Sequence, residues 1–298
     1  MNRRKFIQNS AGLAGLLWLP QLGKSAIRFG YSSITWSGKD LQAIQDIASL
    51  GFKGIQLRAN TYPIYKDNPN ELKAALDKAG LTLAMFSSGN VEIAPEKVEA
   101  SIAQHVKHAE FVKQLGGKAI QLTNSLRKKD QLPTKEELIQ LAEVMNEIGA
   151  KTKAIGVQST YHNHMNQWGE TPEEVDVILT HMDPDKVLFE LDIAHYFQGG
   201  GNPAEAVMKY KKMLHTLHIK DVESPIKGKE DQPKSYKFVE LGQGKVNIKE
   251  VFKNLDKINF SGWAVVELDG VPSSDKNPLQ CATISKDFIE SAGYKLSN

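Results

Sequence analysis

Cysteine is almost missing from this sequence of 298 residues: Cys281 stands alone, so no internal disulfide can form. None lies near the amino terminus either, which excludes a lipoprotein-type membrane anchor. An excess of one charge is also lacking. Lys+Arg 37 face Asp+Glu 35, a net charge of +2, without the concentrated basic face of a nucleic-acid binder. Long apolar runs are missing too. The stretch from Ala11 to Pro20 is too short to be read as a spanning helix. No Gly-rich phosphate turn follows the first predicted strand, where Ser33-Ile34-Thr35-Trp36-Ser37 stands instead, and this argues against a doubly wound dinucleotide fold. No Gly-rich nest or Arg cluster is visible to receive a phosphate.

The amino-terminal segment has a character of its own. Asn2-Arg3-Arg4-Lys5-Phe6-Ile7 resembles a twin-arginine export signal, an apolar run follows, and Gly23-Lys24-Ser25 offers small residues for cleavage. The expectation is an export leader over residues 1–25, a barrel domain over 26–298 and a periplasmic location.

From Ile27 onward, short β-branched and apolar runs alternate with helical periodicity. Helix starts are marked by Thr134-Lys135-Glu136-Glu137 and Thr171-Pro172-Glu173-Glu174, and ends by Gly51, Gly80 and Gly116-Gly117. The strand–helix unit recurs about eight times, the number that closes a (β/α) barrel, so the predicted fold class is α/β, a single (β/α)8 TIM barrel. The stretch from Asp221 to Gly244 is the longest irregular piece, and its place after the seventh strand makes it a cover for the barrel mouth.

Four predicted strands end in groups able to bind a metal: Tyr161-His162-Asn163-His164, Leu191-Asp192-Ile193-Ala194-His195, Leu217-His218-Ile219-Lys220-Asp221 and Val265-Val266-Glu267-Leu268. In a closed parallel barrel these ends converge on one mouth. His162, Asp192, His218 and Glu267 would there form a mixed nitrogen and oxygen site for one divalent metal, Zn, Mn, Co, Fe or Mg. A lone His or Asp after a strand is more often an ordinary rim residue; four in the same relative place are not.

At these residues the chain resembles the sugar phosphate isomerase/epimerase family, the xylose isomerase-like barrels that also include the class IV apurinic endonucleases. The resemblance runs from about Ile27 to the end and rests on Asp192-x-x-His195, His218-x-x-Asp221, the Glu240-Leu-Gly-Gln-Gly244 loop and Glu267. It implies metal ligands after the fifth to eighth strands, a Glu, an Asp, a His and a Glu. Asp192, His218 and Glu267 match the last three. His162 occupies the place of the first Glu, so the family's symmetric use of two carboxylates for proton transfer is in doubt.

These residues lead to specific expectations. Glu267 is the first candidate for the base that removes a proton next to a metal-bound sugar carbonyl, with His195 and His164 as opposing acid/base groups. Arg58, Trp36, Asn124, Lys220 and Glu240 are candidate substrate contacts, and Phe86 could stack on a sugar ring as Trp36 could. The main expectation is a metal-dependent isomerase or epimerase of a keto- or aldo-sugar through an enediolate. The alternative is a lyase or hydratase of 3-keto-sugars or 3-keto-glycosides, since elimination can run with one carboxylate and one histidine. A sugar-binding protein without catalysis, or a phosphodiesterase, fits less well. The partner is a small sugar, with no nucleic acid, and exposed barrel helices leave a homodimer open.

Overall fold

The computed structural model describes residues 26–127, 131–232 and 234–296; the predicted leader lies outside them. Eight parallel strands close a barrel: β1 Arg28–Ser32, β2 Gly54–Arg58, β3 Thr82–Asn90, β4 Ala119–Thr123, β5 Gln158–His162, β6 Val187–Asp192, β7 Leu214–Ile219 and β10 Trp263–Val266. β1 pairs with both β2 and β10, and the expected barrel is therefore complete. Between β7 and β10 lies an antiparallel hairpin of β8 Asp221–Glu223 and β9 Lys237–Val239.

The helices form where the sequence pre-sets their first turns. Pro69, Pro95, Pro172, Pro203 and Pro278 each open a helix, at the position where a missing N–H costs nothing. The expected Thr134 cap closes a box with Glu137, and Thr171 receives the N–H of Glu174. Among the described residues, no helix is long and apolar enough to cross a membrane.

Two layers of packing result. The outer one is a continuous apolar core between barrel and helices. Inside the barrel, Ala84, Trp263 and Val265 form a separate cluster toward the amino-terminal ends of the strands. Gly54 faces this cluster: a Cβ there would sit 2.5 Å from the Trp263 ring. Above it the interior is polar. Gln56, Gln121, Thr160, Glu190 and Thr216 are all buried, each two residues before a rim position on its strand.

Three elements differ from expectation. Residues Ile193–Gln198 form a short helix directly after β6, because the Asp192 carboxylate accepts from the N–H groups of Ala194 and His195. β3 runs on to Asn90, with an irregularity before that residue. Along it Ser88 turns outward to two histidines of the helix Pro95–Gln114, its Oγ 2.6 Å from His105 Nδ1 and 2.9 Å from His108 Nδ1. His105 Nε2 must donate to the Asn90 carbonyl, so its Nδ1 accepts from Ser88. The third is the hairpin, held by Asp221: its carboxylate receives the backbone N–H groups of Val222, Gly242, Gly244 and Val246. A Cβ on Gly244 would stand 2.2 Å from Asp221 Oδ1, so the backbone reaches the carboxylate only as glycine.

Two predictions follow from this framework. Asp221→Ala strands four amide donors, and unfolding free energy is expected to fall by about 2–4 kcal/mol in urea titrations; an unchanged midpoint would remove the clamp. Burial, helped by His108, lowers His105 from 6.5 to about 4. The unfolded chain therefore protonates first: the contribution is whole above pH 6.5 and is lost as pH falls toward 4, about 3 kcal/mol in total. Urea midpoints should decline less steeply between pH 7 and 4.5 in His105→Gln than in wild type, and equal slopes would count against it.

Candidate metal centre

At the carboxyl ends of β5, β6 and β7, His162, Asp192 and His218 each place one donor atom within 4.8 Å of the others. His162 Nε2 lies 3.0 Å from His218 Nδ1, and Asp192 Oδ2 is 3.5 Å from each. Glu267, one residue beyond β10, brings Oε1 to 3.5 Å from the same His218 Nδ1. Ligands about 2.0–2.2 Å from a tetrahedral ion stand roughly 3.3–3.5 Å apart, so this spacing suits a common centre. Asp192 Oδ2 adds a second sign: it is buried and receives no hydrogen bond, an uncompensated lone pair among imidazole nitrogens. The donor set fits a divalent metal.

The backbone beneath the ligands is locked. The Asn163 side chain donates to the Asp192 carbonyl at 3.1 Å and accepts the Asp192 N–H at 2.9 Å, joining the ends of β5 and β6. Asn124 donates to the His162 carbonyl at 2.8 Å. Asn124 therefore holds a ligand in place; a direct contact to substrate is not its visible role.

Electrostatics keep the Asp192 and Glu267 carboxylates ionised. Burial opposes the charge of Asp192, but the surrounding imidazoles and Lys220 hold it well below the usual carboxylate range. Burial likewise works against Glu267, and His218 with Lys220 brings it down to about 2. His218 is buried too, yet Glu267 and Glu190 raise it to about 9. Glu190 is pushed up to about 7 by burial, partly offset by His218, and neither of its oxygens has a donor.

Above the ligands, the rings of His164 and His195 lie 3.8 Å apart. His164 Nδ1 must donate to the Met165 carbonyl at 2.6 Å, leaving Nε2 with a free lone pair. Burial and His162 lower His164 to about 4, and burial holds His195 well below 6.5, so both imidazoles are neutral at pH 7. Lys220 is fully buried and donates to Asp269 at 2.6 Å and to Glu267 Oε1 and His195 Nε2 at 3.3 Å. Its desolvation is outweighed by Asp269 and Glu267, which raise it, so it stays an ammonium. Phe238 of the hairpin lies 4.1 Å below that ammonium and edge-on to His195 at 5.3 Å. The stretch after the seventh strand thus does cover the site, with an aromatic as its inner surface.

Other candidates fall elsewhere. Trp36 is buried against Tyr31 and donates its indole N–H to Asp46 at 2.7 Å: a short 3-10 turn, Ser33–Trp36, carries it into the outer core. Phe86 packs on His108 and Phe111 of the helix Pro95–Gln114, also outside the barrel. Glu240 is 2% exposed and bonded to Lys276 at 2.7 Å. Arg58 sits half-buried at the tip of β2. Two residues went unforeseen, Gln56 and Glu190. Their signal was the period of two, which places them one layer below Arg58 and Asp192 on the same inward face.

Wild-type protein is expected to hold about one divalent metal per chain, and His218→Ala and Glu267→Ala to lose it while keeping the wild-type far-UV spectrum. Elemental analysis decides, and a wild type that neither carries nor takes up metal removes the centre.

Comparison with known proteins agrees with this fold. The chain is 27% identical to an inosose dehydratase of Clostridium beijerinckii over 92% of its own length and 100% of the relative's. Among solved structures it resembles a sugar phosphate isomerase/epimerase from Parabacteroides distasonis, at 20% identity and a TM-score of 0.69, covering 91% of this chain and 96% of that one. It also resembles the IOLI protein with a zinc atom, at 19% identity and a TM-score of 0.73, covering 89% and 98% of the two chains. The profile of the xylose isomerase-like TIM barrel family matches residues 44–287. With its ligand-bearing strand ends inside that span, the chain belongs to the xylose isomerase-like TIM barrels.

Proposed function

We infer that this protein is an enzyme, a divalent-metal-dependent dehydratase that removes water from a polyhydroxylated ketone, a keto-sugar or keto-polyol. One observation carries the reading: the polar groups at the mouth are unequal. Glu267 Oε1 lies 3.3 Å from the Lys220 ammonium and its Oε2 is already occupied by the Gln56 amide at 3.1 Å, whereas the ring nitrogen left open, His164 Nε2, belongs to a neutral imidazole. Epimerisation profits from two matched groups on opposite faces of the carbon; His162 stands where the second carboxylate would be. Relatives named inosose dehydratase support elimination over the isomerase or epimerase expectation.

The metal, held by His162, Asp192, His218 and Glu267, would supply Lewis-acid polarisation of the substrate carbonyl. The protein's own groups handle the protons. His164, with Nδ1–H fixed on the Met165 carbonyl, offers Nε2 to take the proton from the carbon next to the ketone. Lys220 supplies positive charge where negative charge gathers on oxygen. The hydroxyl on the next carbon leaves as water, taking the proton that His164 had removed, and a carbon–carbon double bond forms conjugated to the ketone. Phe238 keeps bulk water from the ammonium and from His195. We place this chemistry in one barrel domain, residues 26–298, exported behind the leader of residues 1–25 to the periplasm; the twin-arginine-like pair Arg3-Arg4 supports export after folding.

Metal-loaded protein incubated with keto-sugars and inososes is expected to give a product lighter by one water, with ultraviolet absorbance of a conjugated carbonyl. His164→Ala should cut turnover about 100-fold or more with metal content unchanged. A product of unchanged mass with an inverted centre would establish epimerisation and overturn the dehydratase reading.

A further inference from the structure

Gln56 sits beneath the ligands, fully buried, and touches two of them. Its Nε2 donates to Glu267 Oε2 at 3.1 Å and to Gln121 Oε1 at 3.3 Å, while its Oε1 lies 2.8 Å from His218 Nε2. The direction of each bond is fixed by chemistry. An ionised carboxylate only accepts, so the NH2 end of the amide must face Glu267. The carbonyl end then faces His218, and a carbonyl also only accepts. His218 Nε2 must therefore carry a proton. Its other nitrogen, Nδ1, is the one 3.0 Å from His162 Nε2 and 3.5 Å from both Asp192 and Glu267.

We propose that Gln56 is a positioning residue for the metal centre: its amide, oriented by Glu267, keeps a proton on His218 Nε2, so that Nδ1 is the nitrogen that gives up its proton and ligates the ion. The inference rests on the metal reading above and adds to it the device that sets one ligand's tautomer through another ligand. Glu190 Oε1 stands 3.5 Å from the same Nε2, too far to take the bond from Gln56. One amide thus couples the end of β7 to the residue after β10 from the inside of the barrel, and neither ligand can turn without breaking a bond to it.

The test uses full-length protein loaded with zinc. Nitrogen-15 NMR of the histidine rings in wild type should show His218 metal-bound at Nδ1 and protonated at Nε2. Gln56→Leu, of similar volume but without the bond, should weaken zinc binding about 10–100-fold in competition with a chromogenic chelator. Its Nε2–H signal should also broaden or vanish. Gln56→Glu keeps an acceptor toward His218 and should retain the Nε2–H signal, although its charge now opposes Glu267; it carries the test if the Leu variant does not fold. His218 bound to zinc through Nε2, or wild-type affinity and an intact Nε2–H signal in Gln56→Leu, overturns the proposal while the metal reading stands. A wild type that takes up no zinc overturns the metal reading itself, and the proposal with it.

Discussion

Ionised groups buried in a barrel can persist only where each compensates another. Removing a carboxylate or an ammonium from water costs several kcal/mol even after relaxation, and that cost is offset only by near-ideal partners. Asp192, His218 and Lys220 are all fully buried, and Glu267 nearly so. Their charges are neighbours: Lys220 lies against Glu267 and Asp269, and His218 against Asp192, Glu267 and Glu190. The whole mouth depends on this mutual neutralisation. Among the ligand carboxylates the shortfall is Asp192 Oδ2, where a buried negative atom receives no donor. Such a shortfall is what a cation site looks like from the protein's side.

The surrounding architecture serves that constraint. The amides of Asn163, Asn124 and Gln56 all bond either a ligand or its backbone, so the ligands are fixed by neutral groups that add no charge to an already crowded space. Asp221 follows Lys220 directly and spends its carboxylate on four backbone N–H groups, leaving the hairpin rigid at its root. Phe238 then arrives over Lys220 as an apolar surface with a negative π face, compatible with both the ammonium and exclusion of water.

What could be read beforehand follows from what is local. The eight strand–helix units and the caps at Thr134 and Thr171 are properties of short windows, and they appear where the periodicity puts them. The convergence of His162, Asp192 and His218 was legible because barrel closure turns four strand ends into neighbours. Trp36 and Glu240 were misjudged because their fate is set by distant partners. Asp46 on a helix captures the indole, and Lys276, far along the chain, captures the carboxylate. The helix Ile193–Gln198 is too short to show a period and exists because Asp192 caps it. Gln56 and Glu190 were hidden in strands that read as apolar runs. Only alternation relative to the rim residues marks them as inward.

On the reading proposed above, a histidine at position 162, where the pattern of the resembled family has a glutamate, changes more than one ligand. A glutamate there would add a further negative group to Asp192, Glu267 and Asp269 beside the single ammonium of Lys220. A neutral imidazole holds the balance closer to even and leaves Glu267 the main anion at the rim. It also removes a base from one face of the substrate. Above the ligands, His164 Nε2 and the Lys220 ammonium differ in kind: one can take a proton, the other holds positive charge. Such a pair favours a reaction whose proton leaves from one carbon and whose oxygen leaves from the next over a reaction that must return the same proton to the opposite face. On the proposed dehydratase reading, the asymmetry begun by a single histidine on β5 runs through the charge balance to the class of chemistry.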